Sequence, residues 1–146
     1  MTFEQMMADI MDYIWGLPSS SYRIIIGSDS MVKRDTLFIT AVIVHRLGKG
    51  ARYYYRKKLQ RKIKSLRQKI FYETALSLEV GGMINRYFAE RGNDDMMVEI
   101  HIDVGTGGET KDLIREVVGM VTGSGFKARI KPDAFGASSV ADKHTK

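Results

Sequence analysis

Asp29 stands in the run Gly27-Ser28-Asp29-Ser30, directly after the isoleucine-rich segment Tyr22-Arg23-Ile24-Ile25-Ile26. Asp103 closes a second apolar run in His101-Ile102-Asp103. If those runs are neighbouring strands, ~4.8 Å apart, the two carboxylates would raise each other's pKa until a cation or a proton came between them. Oxygen ligands of this kind select Mg²⁺ or Mn²⁺. A pair of such ions ~4 Å apart activates water and stabilises the departing oxygen in phosphodiester cleavage. The chain has no cysteine and only three histidines (His45, His101 and His144), which excludes thiolate chemistry and argues against a structural zinc site.

The elements that must position these residues are legible from periodicity. Residues 1–17 carry apolar side chains at helical spacing (Phe3, Met6, Met7, Ile10, Ile14, Leu17). A turn, Leu17-Pro18-Ser19-Ser20-Ser21, leads to a buried strand at 22–27. Residues 36–45 and 52–56 are β-branched or aromatic and complete a three-stranded antiparallel meander through Leu47-Gly48-Lys49-Gly50. A helix is expected over 63–91, with Gly81-Gly82 marking either a loosened turn or a close helix–sheet contact. A fourth strand at 96–104, a helix near 110–122, a fifth strand at 126–131 and a short helix at 137–145 follow. This order predicts an α/β domain with a mixed five-stranded sheet, 3-2-1-4-5, flanked by helices. The expected division is an N-terminal helix and turn at 1–21 and a core domain at 22–146.

In that topology Asp29 and Asp103 meet at the carboxyl edge of adjacent parallel strands, where α/β sheets bind ligands. The long helix starts from the same edge. Glu73 lies early in it, while Glu79 sits ~9 Å farther along the axis, so Glu73 is the third carboxylate. Asp133 after the fifth strand and Asp142 on the terminal helix compete for the fourth place. His144 beside Asp142 is an auxiliary candidate for moving a proton. Glu99, His101 and Asp103 alternate onto one sheet face, and His101 reads as a packed, hydrogen-bonded residue. The loop Gly105-Thr106-Gly107-Gly108-Glu109-Thr110-Lys111 lacks P-loop spacing and reads as a turn with Thr110 as a helix cap.

The motifs Gly27-Ser28-Asp29-Ser30, Tyr72-Glu73-Thr74-Ala75, His101-Ile102-Asp103 and Ala141-Asp142-Lys143-His144 occur in the order found in RNase H-like nucleases, which the chain resembles over about 22–146. Together with His101-Ile102-Asp103-Val104-Gly105, Lys131-Pro132-Asp133 and Ser138-Ser139-Val140-Ala141-Asp142-Lys143-His144-Thr145, they look most like the bacterial YkuK-type family. The resemblance implies an RNase H-like fold and makes Asp29, Glu73, Asp103 and Asp142 the catalytic and metal-binding set for Mg²⁺ or Mn²⁺. No separate basic helix of the kind some RNase H enzymes use to grip hybrids is visible.

Charge points to the partner. Eleven of the 23 Lys and Arg residues fall in residues 46–69, which contain no Asp or Glu, so the rest of the chain is net acidic. Arg52, Arg56, Lys57, Lys58, Arg61, Lys62 and Lys64 would neutralise phosphates, with Tyr53, Tyr54 and Tyr55 as stacking surfaces. The competing interpretation is a solvated helix start with tyrosines turned to the core. The N-terminal segment has no Lys or Arg and is not a secretory signal, and no apolar stretch is long enough to span a bilayer, so a cytoplasmic location is expected. The expected activity is a metal-dependent nuclease acting on RNA, an RNA–DNA hybrid or structured DNA. The alternative is a binding module on the same fold that performs no chemistry. A phosphotransferase of actin-like architecture, suggested by Asp103-Val104-Gly105-Thr106-Gly107, would need a second such domain.

Overall fold

The computed structural model describes residues 1–93, 96–104 and 111–130. The elements run α1 (Phe3–Gly16), β1 (Tyr22–Val32), β2 (Thr36–Arg46), β3 (Ala51–Gln60), α2 (Leu66–Glu90), β4 (Met97–Ile102), α3 (Lys111–Gly123) and β5 (Lys127–Ile130). They form one mixed sheet in the order β3-β2-β1-β4-β5. The meander is antiparallel, whereas β1–β4 and β4–β5 are parallel. That is the architecture expected from the element order.

Helix starts follow their caps. Thr2 and Gln5 form a reciprocal capping box at α1, and the Ser65 side chain accepts from the Gln68 N–H at α2. Alternation along β1 sends Ile24 and Ile26 to one face, where they join Met7 and Ile10 of α1, Ile84 and Phe88 of α2, and Val117 and Val121 of α3. All three described helices therefore pack on this face. Full burial of each such side chain contributes ~1.5–3 kcal/mol. Ile25, Ala41 and Ile43 form a separate small cluster on the opposite face.

Strand lengths depart most from expectation. The first strand does not stop before Ser28: β1 continues to Val32, because β2 pairs with it all the way to Val32↔Thr36. Its parallel pairing with β4 ends earlier, at Gly27↔His101. Asp29 therefore lies within a strand, not after one. Likewise β3 runs to Gln60, so Lys57 and Lys58 are strand residues, and the basic run is an edge strand and connection more than a helix start. A polar composition such as Arg56-Lys57-Lys58 suits an edge strand, whose outer rim is solvated.

The two adjacent glycines of α2 have different roles. A Cβ on Gly81 would lie 3.1 Å from Phe126 and 3.4 Å from Ile100, whereas one on Gly82 meets nothing within 4 Å. Gly81 is thus the close helix–sheet contact. Gly82→Ala should stabilise the protein by about 0.5–1 kcal/mol through helix propensity, and Gly81→Leu should destabilise it by about 1–3 kcal/mol through overpacking. Urea denaturation of both variants checks the pair; similar midpoints for the two would show that α2 does not seat at Gly81.

Candidate active site

The β1–β4 seam brings the sequence-nominated carboxylates towards one edge. The last parallel rung is Gly27↔His101, so two residues farther along each chain are Asp29 and Asp103. The start of α2 is tied to this edge as well, because the Ile63 N–H donates to Thr36 Oγ1 at 2.8 Å. Tyr72 stacks on Phe38 of β2 with ring centroids 4.4 Å apart, which sets the rotation of the helix. Glu73, about two turns into α2, is consequently turned inward and nearly fully buried.

Burial is the main reason the Glu73 carboxyl is pushed up to about 8 from 4.5. A hydrogen bond from Ser30 Oγ to Glu73 Oε2, at 2.6 Å, opposes the shift, while the negative charges of Asp29 and Asp103 add to it and Lys69 reduces it. Asp29 Oδ1 accepts from the Ser30 N–H at 2.8 Å. Beneath this group Ser28 Oγ lies 2.9 Å from Thr40 Oγ1 and 2.8 Å from Ser77 Oγ, a buried hydroxyl triangle that joins β1, β2 and α2. Sequence reading missed Ser28 and Ser30 because it ended the strand at Gly27. Alternation through a longer strand would have placed both serines on the helix side.

The remaining nominees are distributed unevenly. Glu79 is exposed and pairs with Arg56 at 3.6 Å, away from the carboxylates. Asp133, Asp142 and His144 lie outside the described residues, as do Gly105 to Thr110. His101 is packed as expected, but among the described residues it has no hydrogen-bond partner: its Nε2 approaches Glu99 only to 3.8 Å, too far for such a bond. Burial lowers its pKa and keeps the imidazole neutral.

The basic residues divide by strand alternation. Arg52, Tyr54, Arg56 and Lys58 face the helices: Arg52 pairs with Asp9 at 3.1 Å, Tyr54 OH bonds Asp9, and Lys58 lies 5.5 Å above the Tyr72 ring. The run lacks acidic neighbours in sequence, but the fold supplies them from Asp9, Glu79 and, for Arg67, Glu116. Tyr54 is thereby turned to the core side, and only Tyr53 and Tyr55 of the three tyrosines are exposed. Arg61, Lys62 and Lys64 occupy the exposed connection between β3 and α2.

Carboxylate donors short of positive charge fit a hard divalent cation in donor type and in charge. Among the described residues no three acidic or histidine side chains are already gathered around one ion position. No helix among the described residues is long and apolar enough to cross a membrane.

The family model described as Ribonuclease H-like matches residues 5–146. The chain belongs to the RNase H-like family. It is also 41% identical to the uncharacterized protein YkuK of Bacillus subtilis (strain 168), over all of this chain and 92% of that protein. Membership in the RNase H-like family, with YkuK as a full-length relative, puts the Glu73 site on a fold associated with nucleic-acid chemistry.

Because the folded pKa of Glu73 lies above its unfolded value, its stabilising contribution is complete below about pH 4.5 and lost as pH rises towards about 8. In EDTA, Glu73→Gln should therefore gain on the wild type across that window, with the difference in Tm widening by at least about 5 °C between its two ends. Millimolar Mn²⁺ should narrow the gap at the upper end. Parallel melting curves for the two proteins would contradict the buried-carboxyl assignment.

Proposed function

We propose that this protein is a divalent-metal-dependent nuclease of RNase H-like type, hydrolysing phosphodiester bonds in RNA, an RNA–DNA hybrid or structured DNA. The observation that carries the reading is the buried Glu73 carboxyl charge-coupled to Asp29 and Asp103 at the end of the β1–β4 seam. Asp29, Glu73 and Asp103 would hold Mg²⁺ or Mn²⁺, with Asp142 or Asp133 as the fourth ligand. When bound, such ions activate water and stabilise the leaving oxygen.

The chain's own residues have separable roles in this reading. Ser30 orients Glu73 by donating to Oε2, and the Ser28–Thr40–Ser77 triangle keeps α2 in register with β1. Low-dielectric surroundings strengthen the attraction between these carboxylates and a cation. Lys57, Arg61, Lys62 and Lys64 would contact phosphates at exposed positions, together with whatever part of Arg52, Arg56 and Lys58 their acidic or aromatic partners release. His144 would assist proton movement beside Asp142. A cytoplasmic location accompanies this reading.

A non-catalytic nucleic-acid-binding module is the second reading, favoured by the described carboxylates not converging on a single ion position. Cleavage separates the two. Asp29→Asn and Asp103→Asn should each lower Mg²⁺- or Mn²⁺-dependent cleavage by more than about 100-fold while leaving the fold and oligonucleotide affinity intact. A panel of single strands, duplexes, hybrids and junctions is the assay. Undiminished cleavage by both variants rules out this site, and no turnover on any substrate leaves the binding module.

A further inference from the structure

The sheet face opposite the helices carries a cationic cluster that the carboxylate site does not use. Glu99 of β4 is only 1% exposed. Arg23 Nε of β1 lies 3.3 Å from Glu99 Oε2, Arg129 Nε of β5 lies 3.3 Å from Oε1, and Lys127 Nζ lies 3.9 Å from Oε1. The register explains the convergence: Ile25 pairs with Glu99, Glu99 with Lys127, and His101 with Arg129, so three strands deliver their charged side chains above one buried carboxylate.

One carboxylate cannot neutralise three cations. Among the described residues the cluster keeps a formal excess of two positive charges, and its cations are partly open to solvent, with side-chain exposures of 32% for Arg23, 36% for Arg129 and 53% for Lys127. Both arginines approach Glu99 through Nε, Arg129 with a hydrogen bond and Arg23 as an ion pair without one, and among the described residues neither makes a hydrogen bond through its Nη groups. Guanidinium groups held this way present their outer N–H pairs to a ligand in a fixed orientation. Beside them His101 is 7% exposed, and among the described residues neither of its ring nitrogens has a hydrogen-bond partner.

We propose that Arg23, Lys127 and Arg129, gathered around Glu99, form a phosphate-binding site on the sheet face opposite the three described helices. Asp103 lies four residues beyond Glu99, just past the end of β4 and roughly 13 Å along its direction. A polynucleotide anchored by one phosphate at the cluster would thus run towards the carboxylate edge. This extension rests on the nucleic-acid reading above, whereas the phosphate contact itself does not require hydrolysis. It also assigns recognition to residues outside the basic segment at 46–69.

Binding is measured in EDTA, so that its outcome is independent of turnover. The probes are a fluorescein-labelled oligothymidylate and inorganic phosphate, and the variant is Arg23→Gln/Glu99→Gln/Arg129→Gln, which removes the buried acid together with both arginines and leaves only the half-exposed Lys127 charged. The variant should lose at least about 10-fold in affinity, with a salt dependence for the oligonucleotide shallower by about one to two. Loss for the oligonucleotide identifies a backbone phosphate as the ligand; loss for inorganic phosphate alone identifies a small phosphate compound. Lys127→Glu, at a half-exposed position, should lose several-fold and serves if the triple variant does not fold. Unchanged affinity for both probes in a folded variant overturns the site, even if Asp29→Asn abolishes cleavage.

Discussion

The double pairing of β1 is the constraint on which the other features depend. One edge of this strand is antiparallel to β2 along its whole length, and the other is parallel to β4 only as far as Gly27↔His101. Where the parallel ladder ends, β1 continues, supported from one side. Ser28, Asp29 and Ser30 lie on that half-supported stretch, next to the open end of β4. Backbone there is paired on one side only, which leaves a gap in the described ladder towards which Glu73 of α2 is turned. A strand paired on both sides throughout would have no such gap.

Glu73 shows how the gap is used. A carboxyl group so thoroughly buried is costly in its charged form, and the neighbouring aspartates increase the cost. The protein retains it with a hydroxyl donor from Ser30 and a lysine one turn earlier in the helix, neither of which restores an ordinary carboxylate pKa. Energy stored in this way is released by binding positive charge. The same logic, with the sign reversed, describes Glu99, where cations outnumber the buried acid and the uncompensated charge is positive. The two sheet faces thus carry opposite electrostatic demands, close to the same strand.

The sequence made the element order and the sheet order legible because each rests on a short-range signal. Isoleucine-rich runs mark buried strands, helical apolar spacing marks α2, and crossover handedness leaves few topologies. Helix rise separates Glu73 from Glu79, and the two differ in burial: Glu73 is turned inward, whereas Glu79 is exposed and paired with Arg56. Strand ends were not legible. Gly-Ser-Asp-Ser and Arg-Lys-Lys are poor strand sequences by composition, and both became strand because a partner offered unpaired backbone groups along their full length.

What the sequence by itself determined was an RNase H-like layout, with an acidic residue in or just after each of β1 and β4, and a segment of one charge sign. Tertiary structure decided how that charge is spent. Arg52, Arg56 and Arg67 have no acidic residue near them in the chain, yet Asp9, Glu79 and Glu116 reach them from three helices. Arg23, Glu99, Lys127 and Arg129 are scattered through the sequence and meet only because β1, β4 and β5 lie side by side in one register. Coulombic interaction depends on distance in space, and residue spacing along a chain sets that distance only within an element, never between elements.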